Sequence, residues 1–529
     1  MGTDRDARKR KLPATIRTLF VLLVGACIAE AFFFAAAGRA NIDEGMFLEA
    51  GRLVFEGQLP YRDFPLSQGP LIAYVYGLAL ELFGGSLWVG RLLSWALGVG
   101  GFAAALVIAW RFGGRIGGAV LVVLWMMNLP LLWVLGTVRT QSLSTPLTLL
   151  GTLALVLPRV GVFSWALSPS LFLWSTSARL TNGLAFAAVA IWTAYALRRQ
   201  PRRLAGVAGI VGLQGLLVFA PVLLAPREAL FHILTAQLGR GERAGPRSVS
   251  LAEELLAKFE IFLEPATSFF AVLGLSGVVV LCLAARWRQG WRPDFGLPLE
   301  ERASAQLGLL VLAMLVFVPH LLLDRGYLTY FVTSSALLAP AIAIAVAEMV
   351  RSRTRFRSFG LAAAAALVIA GLLAATMQLT AWVGSGDASF SHFRDVARSV
   401  RAHAGQQCTM VTMETALAVE AGCRVLPGLE YSLFSYFPRL SDEQARRRGV
   451  VNRNLLVQRV REHRPELIVL GPRGRSSLRL PRTPGSEPSP GFLAPRGYRH
   501  VDRQRISSGA FVRSGPDTVE VDVFVREAS

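Results

Sequence analysis

Apolar runs of about twenty residues recur along this chain, at 18–38, 87–110, 116–136, 142–158, 163–178, 182–197, 204–225, 266–285, 305–323, 327–349 and 360–383. A run of that length is what an α-helix needs to cross the hydrocarbon core of a bilayer. Backbone in lipid must satisfy its own hydrogen bonds, so the runs predict helices. The expected fold is a multi-pass α-helical membrane protein of about eleven spans. Charged residues are only 17% of the 529, where a soluble chain carries about a quarter.

The net charge of +20 invites a nucleic-acid reading. Its distribution argues against one. The basic residues gather in short clusters between apolar runs: Arg5 to Arg17, Arg111 and Arg115, Arg159, Arg198 to Arg203, Arg286 to Arg302, and Arg351 to Arg357. With the N-terminus inside and eleven spans, every cluster falls on the cytoplasmic side. Counting 70–84, PLIAYVYGLALELFG, as a further span would invert all later clusters. That segment is therefore expected to be re-entrant or interfacial. The outside then receives 39–86, the 226–265 loop and everything after about 384. The basic start, MGTDRDARKRK, is followed by no small-residue cleavage site and predicts a retained first helix. Asp6 stands where a myristoylation motif needs Ser or Thr.

Two units are expected, a membrane part over 1–384 and an extracytoplasmic α/β domain over 385–529. In the second, 392–403 reads as a helix capped by Ser391, 408–413 as a strand and 415–421 as a short helix. CRVLPG reads as a strand and turn, Ser441 and Gln444 form a capping box opening a helix to about 463, and 467–471 is a buried strand. The Pro- and Gly-rich 472–496 reads as a loop, and the alternation of 518–525 as an antiparallel strand. In the 226–265 loop, Ser250 and Glu253 make a second capping box. Cys27 and Cys282 lie in apolar runs and read as packing residues. Cys408 and Cys423, in the tail, suit a disulfide or two free thiols.

The densest chemistry lies in 41–70, NIDEGMFLEAGRLVFEGQLPYRDFPLSQGP. Asp43 and Glu44 open a helix whose Met46, Phe47, Ala50, Leu53 and Val54 recur at helical spacing. The helix is too short to span and suits the bilayer surface, apolar face down, with Asp43 at the membrane edge. Asp is also a favoured N-cap, and Asn41 is the other candidate for that role. Glu44 could be a ligand or a first-turn acid stabilised by the helix dipole. Arg62 and Asp63 could line a site or form an exposed Asx-turn.

An Asp-Glu pair after the first span, a surface helix, a Gly and a Pro, then Pro-Leu and an aromatic run ending in LFG and GRLLS, resembles the GT-C superfamily. The nearest groups are the protein O-mannosyltransferases and lipid A aminoarabinose transferases, glycosyltransferase family 39-like. The likeness is sharpest over 41–95 and extends to RLTNG (179–183) and RGYLTY (325–330). Relatives carry Lys before the Pro-Leu, where Gln68 and Gly69 stand here. They often carry an acid where this chain has Arg139, in TVRTQ.

The resemblance implies an inverting glycosyltransferase. It would move a hexose or pentose from a polyprenyl-phosphate donor to an extracytoplasmic glycan, lipid or protein, in a bacterial inner membrane. It implies Asp43 as the base, with Glu44 beside it. The reaction needs a base for the acceptor hydroxyl and a cation for the departing phosphate. That cation could be Arg139, Arg179 or Arg325, each at an outer span end, or a divalent metal; no cofactor is certain. An interfacial Arg also snorkels without function. Tyr61, Arg62, Asp63, Gln68, Tyr327 and Tyr330 are the expected site lining. Glu30, inside the first span, is a functional residue or an ion-pair partner. His320 suits a structural hydrogen bond, and the aromatics of 428–438 suit sugar stacking or packing on the membrane part. Two other classes compete. A lipid-linked glycan transporter would carry charges in many spans, and an O-antigen polymerase or ligase would carry its key residues in a large later loop.

Overall fold

The computed structural model describes residues 14–235, 269–291, 299, 301–321, 328–352, 357–383, 386–405, 408–480, 489–492, 497–507 and 518–527. Its membrane part comprises α1 (Ala14–Ala37), α2 (Ile42–Phe55), α3 (Leu71–Phe83), α4 (Leu87–Met126), α5 (Leu129–Leu135), α6 (Thr140–Val156), α7 (Gly161–Ala178), α8 (Gly183–Leu197), α9 (Pro201–Val218), α10 (Phe269–Arg288), α11 (Arg302–Leu321), α12 (Val332–Arg351) and α13 (Arg357–Val383). Six described helices are long and apolar enough to cross a membrane: α1, α4, α8 with its leading turn, α10, α11 and α12. The chain is an integral membrane protein.

Helix α4 joins two of the expected runs. Gly114, at φ 57 and ψ −153, breaks it between Arg111 and Arg115. The two arms fold back on each other: a Cβ on Gly117 would lie 2.6 Å from the Ala109 carbonyl oxygen. Positive φ is where glycine costs least. Helix α12 is the best-buried span, 89% of its window being enclosed. It packs against α4, α10 and α11 at the centre of the bundle. At thirteen residues, α3 is shorter than a spanning helix, as the charge count requires.

Helix α2 departs from its expected surface position. It is a sandwiched element, with Met46, Leu48, Glu49 and Ala50 all buried. On one side it crosses α3 so closely that a Cβ on Gly51 would lie 2.7 Å from the Gly77 nitrogen. On the other side it meets the C-terminal region, where a Cβ on Gly45 would lie 2.0 Å from the Ala416 nitrogen.

That region carries a five-stranded sheet, β1 (Thr409–Thr412), β2 (Arg424–Val425), β3 (Leu467–Leu470), β4 (Tyr498–Ser507) and β5 (Thr518–Arg526), in the order β2-β1-β3-β5-β4. Strands β1, β2 and β3 are parallel, and β5 runs antiparallel to β3 and β4. Helices α14 (Phe390–Ala402), α15 (Thr415–Glu420), α16 (Asp442–Arg447) and α17 (Arg453–His463) complete it. One hydrophobic core runs without interruption from Met46 and Tyr76 to Val469 and Phe524. The sheet is therefore fastened to α2 by a common core, in addition to side-chain bonds. Arg52 donates to the Cys423 carbonyl at 3.2 Å, the Leu87 amide donates to Glu420 at 2.9 Å, and Arg424 pairs with Glu56 at 3.0 Å.

Cys408 and Cys423 are disulfide-bonded, with Cα atoms 4.7 Å apart. Four local readings change. Ser389, not Ser391, caps α14. The expected helix from Ser441 to 463 is two helices, α16 and α17, parted at Gly449, where φ is 64. A short helix, Pro472–Ser477, opens the stretch expected to be loop. Strand β4 was not expected at all. Ser250 and Glu253 lie outside the described residues.

Candidate active site

Asn41 caps α2. Its side chain accepts from the Asp43 amide at 2.9 Å, and Glu44 reaches back to the Asn41 amide at 2.8 Å. The Asp43 carboxylate is thereby released from capping. It takes part instead in an ion pair with Arg139, Nη2 to Oδ2, at 2.7 Å. The Asp43 side chain is 36% exposed and the Arg139 side chain 10%.

Glu44 points away from Asp43, to a different partner. It is wholly enclosed, as is Arg91 on α4, and the two are joined by two bonds of 2.8 Å. Its oxygens also accept from the amides of Asn41 and Val138. Arg91 in turn donates to the carbonyls of Ala35, Gly38 and Arg39. Both carboxylate oxygens of Glu44 are thus taken up, which makes it a tie between the end of α1, the start of α2, α4 and the turn before α6. Arg91 was not singled out from the sequence. Its signal was there, a charge inside a predicted span.

The turn so anchored delivers Arg139 and Thr140. Arg139 lies over Trp133, 4.9 Å from the ring centroid, and its Nε has no hydrogen-bond partner among the described residues. Arg179, at the end of α7, is buried and donates to Thr140 Oγ1 at 2.8 Å. It lies 5.0 Å from the Tyr330 ring centroid, and its Nε has no partner among the described residues. Burial pushes the Arg179 guanidinium down to about 10, with Tyr330 and Asp43 opposing the shift and the Arg139 charge adding to it. It remains a cation at neutral pH. His320 stacks on Tyr330 at 5.0 Å. Neither of its ring nitrogens has a hydrogen-bond partner among the described residues, so the expected structural bond is not found there.

The chain thus brings Asp43, Arg139, Arg179 and Tyr330 together from four separate stretches. Arg325 and Tyr327 lie outside the described residues. Tyr61 is buried and donates to the Gln68 carbonyl at 2.6 Å, closing the turn that follows α2. Its φ of 70 is a strained value for a tyrosine. Arg62 and Asp63 form an exposed pair at 2.8 Å, and Asp63 accepts from the Leu59 amide. That bond runs to the amide four residues back and is not the expected Asx-turn, since Pro65 has no N–H to give, and no described bond links the pair to Asp43. Tyr431 donates to or accepts from Ser67 at 3.0 Å and faces Phe47, while Phe437 meets Phe231 at 5.3 Å. These aromatics pack the C-terminal sheet onto the membrane part. Glu30 is half-buried, and one of its oxygens has no partner among the described residues. Among those residues no three His, Cys, Asp or Glu side chains converge as a metal site. Glu44 is taken up by Arg91 and the amides of Asn41 and Val138, and its oxygens do not face Asp43 as a shared ligand pair.

A helical bundle with an acid at the start of a helix behind the first span, and a small sheet domain covering it, has a GT-C-like fold. ArnT from Cupriavidus metallidurans in the apo state shares it with a TM-score of 0.58 at 14% identity, over 88% of this chain and 95% of that one. The same protein bound to undecaprenyl phosphate gives 0.58 at 12% identity, over 97% of this chain and 98% of that one. No protein-family model and no curated protein sequence matches this chain.

Proposed function

We propose that this chain is an inverting glycosyltransferase that moves a sugar from a polyprenyl-phosphate donor to a hydroxyl of a glycan, lipid or protein on the extracytoplasmic face of a bacterial inner membrane. One observation carries the reading: a partly exposed carboxylate, Asp43, stands against a cluster of two buried guanidinium groups, Arg139 and Arg179. Two buried cations repel each other, and an anion between them relieves that repulsion. The ArnT structure containing undecaprenyl phosphate shows that a protein of this fold binds such an anion.

The chemistry follows from the side chains. Asp43 takes the proton of the acceptor hydroxyl as its oxygen attacks the anomeric carbon. The bond from that carbon to the phosphate oxygen breaks, and the electron pair stays on the phosphate. Arg179 and Arg139 stabilise the charge that gathers there. Attack and departure on opposite faces invert the anomeric centre. The disulfide between Cys408 and Cys423 supports the placement of the C-terminal sheet in an oxidising compartment.

The test is a binding measurement followed by a transfer assay on the purified chain in lipid. Arg179→Ala should weaken polyprenyl-phosphate binding by about tenfold or more, the scale of a lost charge-assisted contact. Wild-type affinity in that variant would contradict the phosphate role. Movement of a lipid-linked sugar across the bilayer without cleavage would point to a transporter instead.

A further inference from the structure

We propose that Arg139 gates the base: it holds Asp43 in the empty site and leaves it for the donor phosphate when the donor binds. The inference rests on the sugar-transfer reading and concerns the order of its events. Three observations carry it. First, the contact between Arg139 Nη2 and Asp43 Oδ2, 2.7 Å long, ties the carboxylate to the guanidinium in the empty site. It takes up one acceptor position on Oδ2 and holds the carboxylate turned toward Arg139. Second, the Arg139 backbone is pinned. Its amide donates to Ser142 Oγ at 3.1 Å, and the neighbouring Val138 amide donates to Glu44. Only the side chain is left to move, and its Nε has no hydrogen-bond partner among the described residues. Third, Arg179 is already bonded to Thr140, the residue after Arg139. A phosphate seated on Arg179 therefore arrives beside the Arg139 guanidinium.

A phosphate is the stronger competitor. The phosphodiester of the donor offers two non-bridging oxygens in the fork geometry that arginine prefers, against a single-atom contact with Asp43. The device opens the base only after the leaving group is in place. It keeps a charged carboxylate from meeting the donor alone, and it favours donor binding before acceptor. No covalent bond changes in the step; one guanidinium exchanges a carboxylate for a phosphate.

The test is a thermodynamic cycle with polyprenyl phosphate titrated into the purified full chain in lipid nanodiscs. If Asp43 competes for Arg139, Asp43→Asn should tighten binding by about tenfold, within the range of coupling between touching residues. In an Arg139→Gln background the same change should alter affinity by less than about twofold. If Arg139→Gln does not fold, an Arg139→Met background, which also lacks the guanidinium, decides the matter with the same expectation. Equal tightening with and without Arg139 would mean simple repulsion by Asp43 and would overturn the gate. Unchanged or weaker binding in Asp43→Asn would mean that Arg139 holds both groups at once, and would also overturn it. Absence of any binding to the wild-type chain would overturn the sugar-transfer reading itself, and the gate with it.

Discussion

Glu44 and Arg91 form a fully enclosed ion pair, with guanidinium and carboxylate 2.8 Å apart and neither side chain exposed. Such a pair is costly to break, because the partner left behind is a buried charge without compensation. Glu44→Gln should therefore lower stability by about 3–5 kcal/mol. Glu44→Gln combined with Arg91→Met should recover part of the loss. Thermal unfolding of the purified variants checks this. A Glu44→Gln variant of wild-type stability with lost turnover would restore Glu44 to the chemistry.

Glu49, on the buried side of α2, carries a pH dependence of its own. Burial pushes its carboxyl from the ordinary 4.5 up to about 7, against the pull of Arg52. The folded state thus holds the proton more tightly than the unfolded one. The stability it contributes is full below about pH 4.5 and is lost as pH rises through about 7. Melting temperature should fall over that window, and Glu49→Gln should flatten the slope. An unchanged slope in Glu49→Gln would remove Glu49 as its source.

The disulfide closes a fifteen-residue separation in the region that packs on α2. Loop-closure entropy at that length amounts to about 3 kcal/mol. Cys408→Ser with Cys423→Ser should lower stability on that scale and leave the donor affinity of the folded fraction unchanged. Truncation after Trp382 should be worse, since it bares the side of α2 that meets Ala416 and opens the shared core. A truncated chain that stays monodisperse and melts like the full one would show that the core is separable.

The helices were legible because a bilayer imposes a length. The run at 142–158 became Thr140–Val156, and that at 163–178 became Gly161–Ala178. Asn41 as the cap of α2 was legible too, from its residue type and place. The position of α2 was not. Its Arg52 and Glu56 find partners, the Cys423 carbonyl and Arg424, that lie more than 360 residues further on. Arg91 was marked as a charge inside an expected span, but its partner was opaque, the carboxylate being 47 residues upstream. Strand β4 hid behind its charge: Arg499, Arg503 and Arg505 alternate with too few apolar residues to show a buried face. Arg503 is held there by Asp522 at 2.7 Å, a contact set by β5.

Asp43→Asn separates the proposed base from a helix cap or an ion-pair partner. Asn41 already caps α2, so the substitution leaves the helix start intact. The bond to Arg139 changes from an ion pair to a neutral one at a partly exposed site, a loss of about 1 kcal/mol at most. The amide cannot take a proton, so turnover should fall by about a hundredfold or more. The measurement is the rate of sugar transfer by purified Asp43→Asn in lipid, beside its melting temperature and its affinity for polyprenyl phosphate. The expected result is a folded protein that binds polyprenyl phosphate and scarcely transfers sugar. Transfer at a rate near that of the wild type would contradict it, and would leave Asp43 as a partner of Arg139 and nothing more.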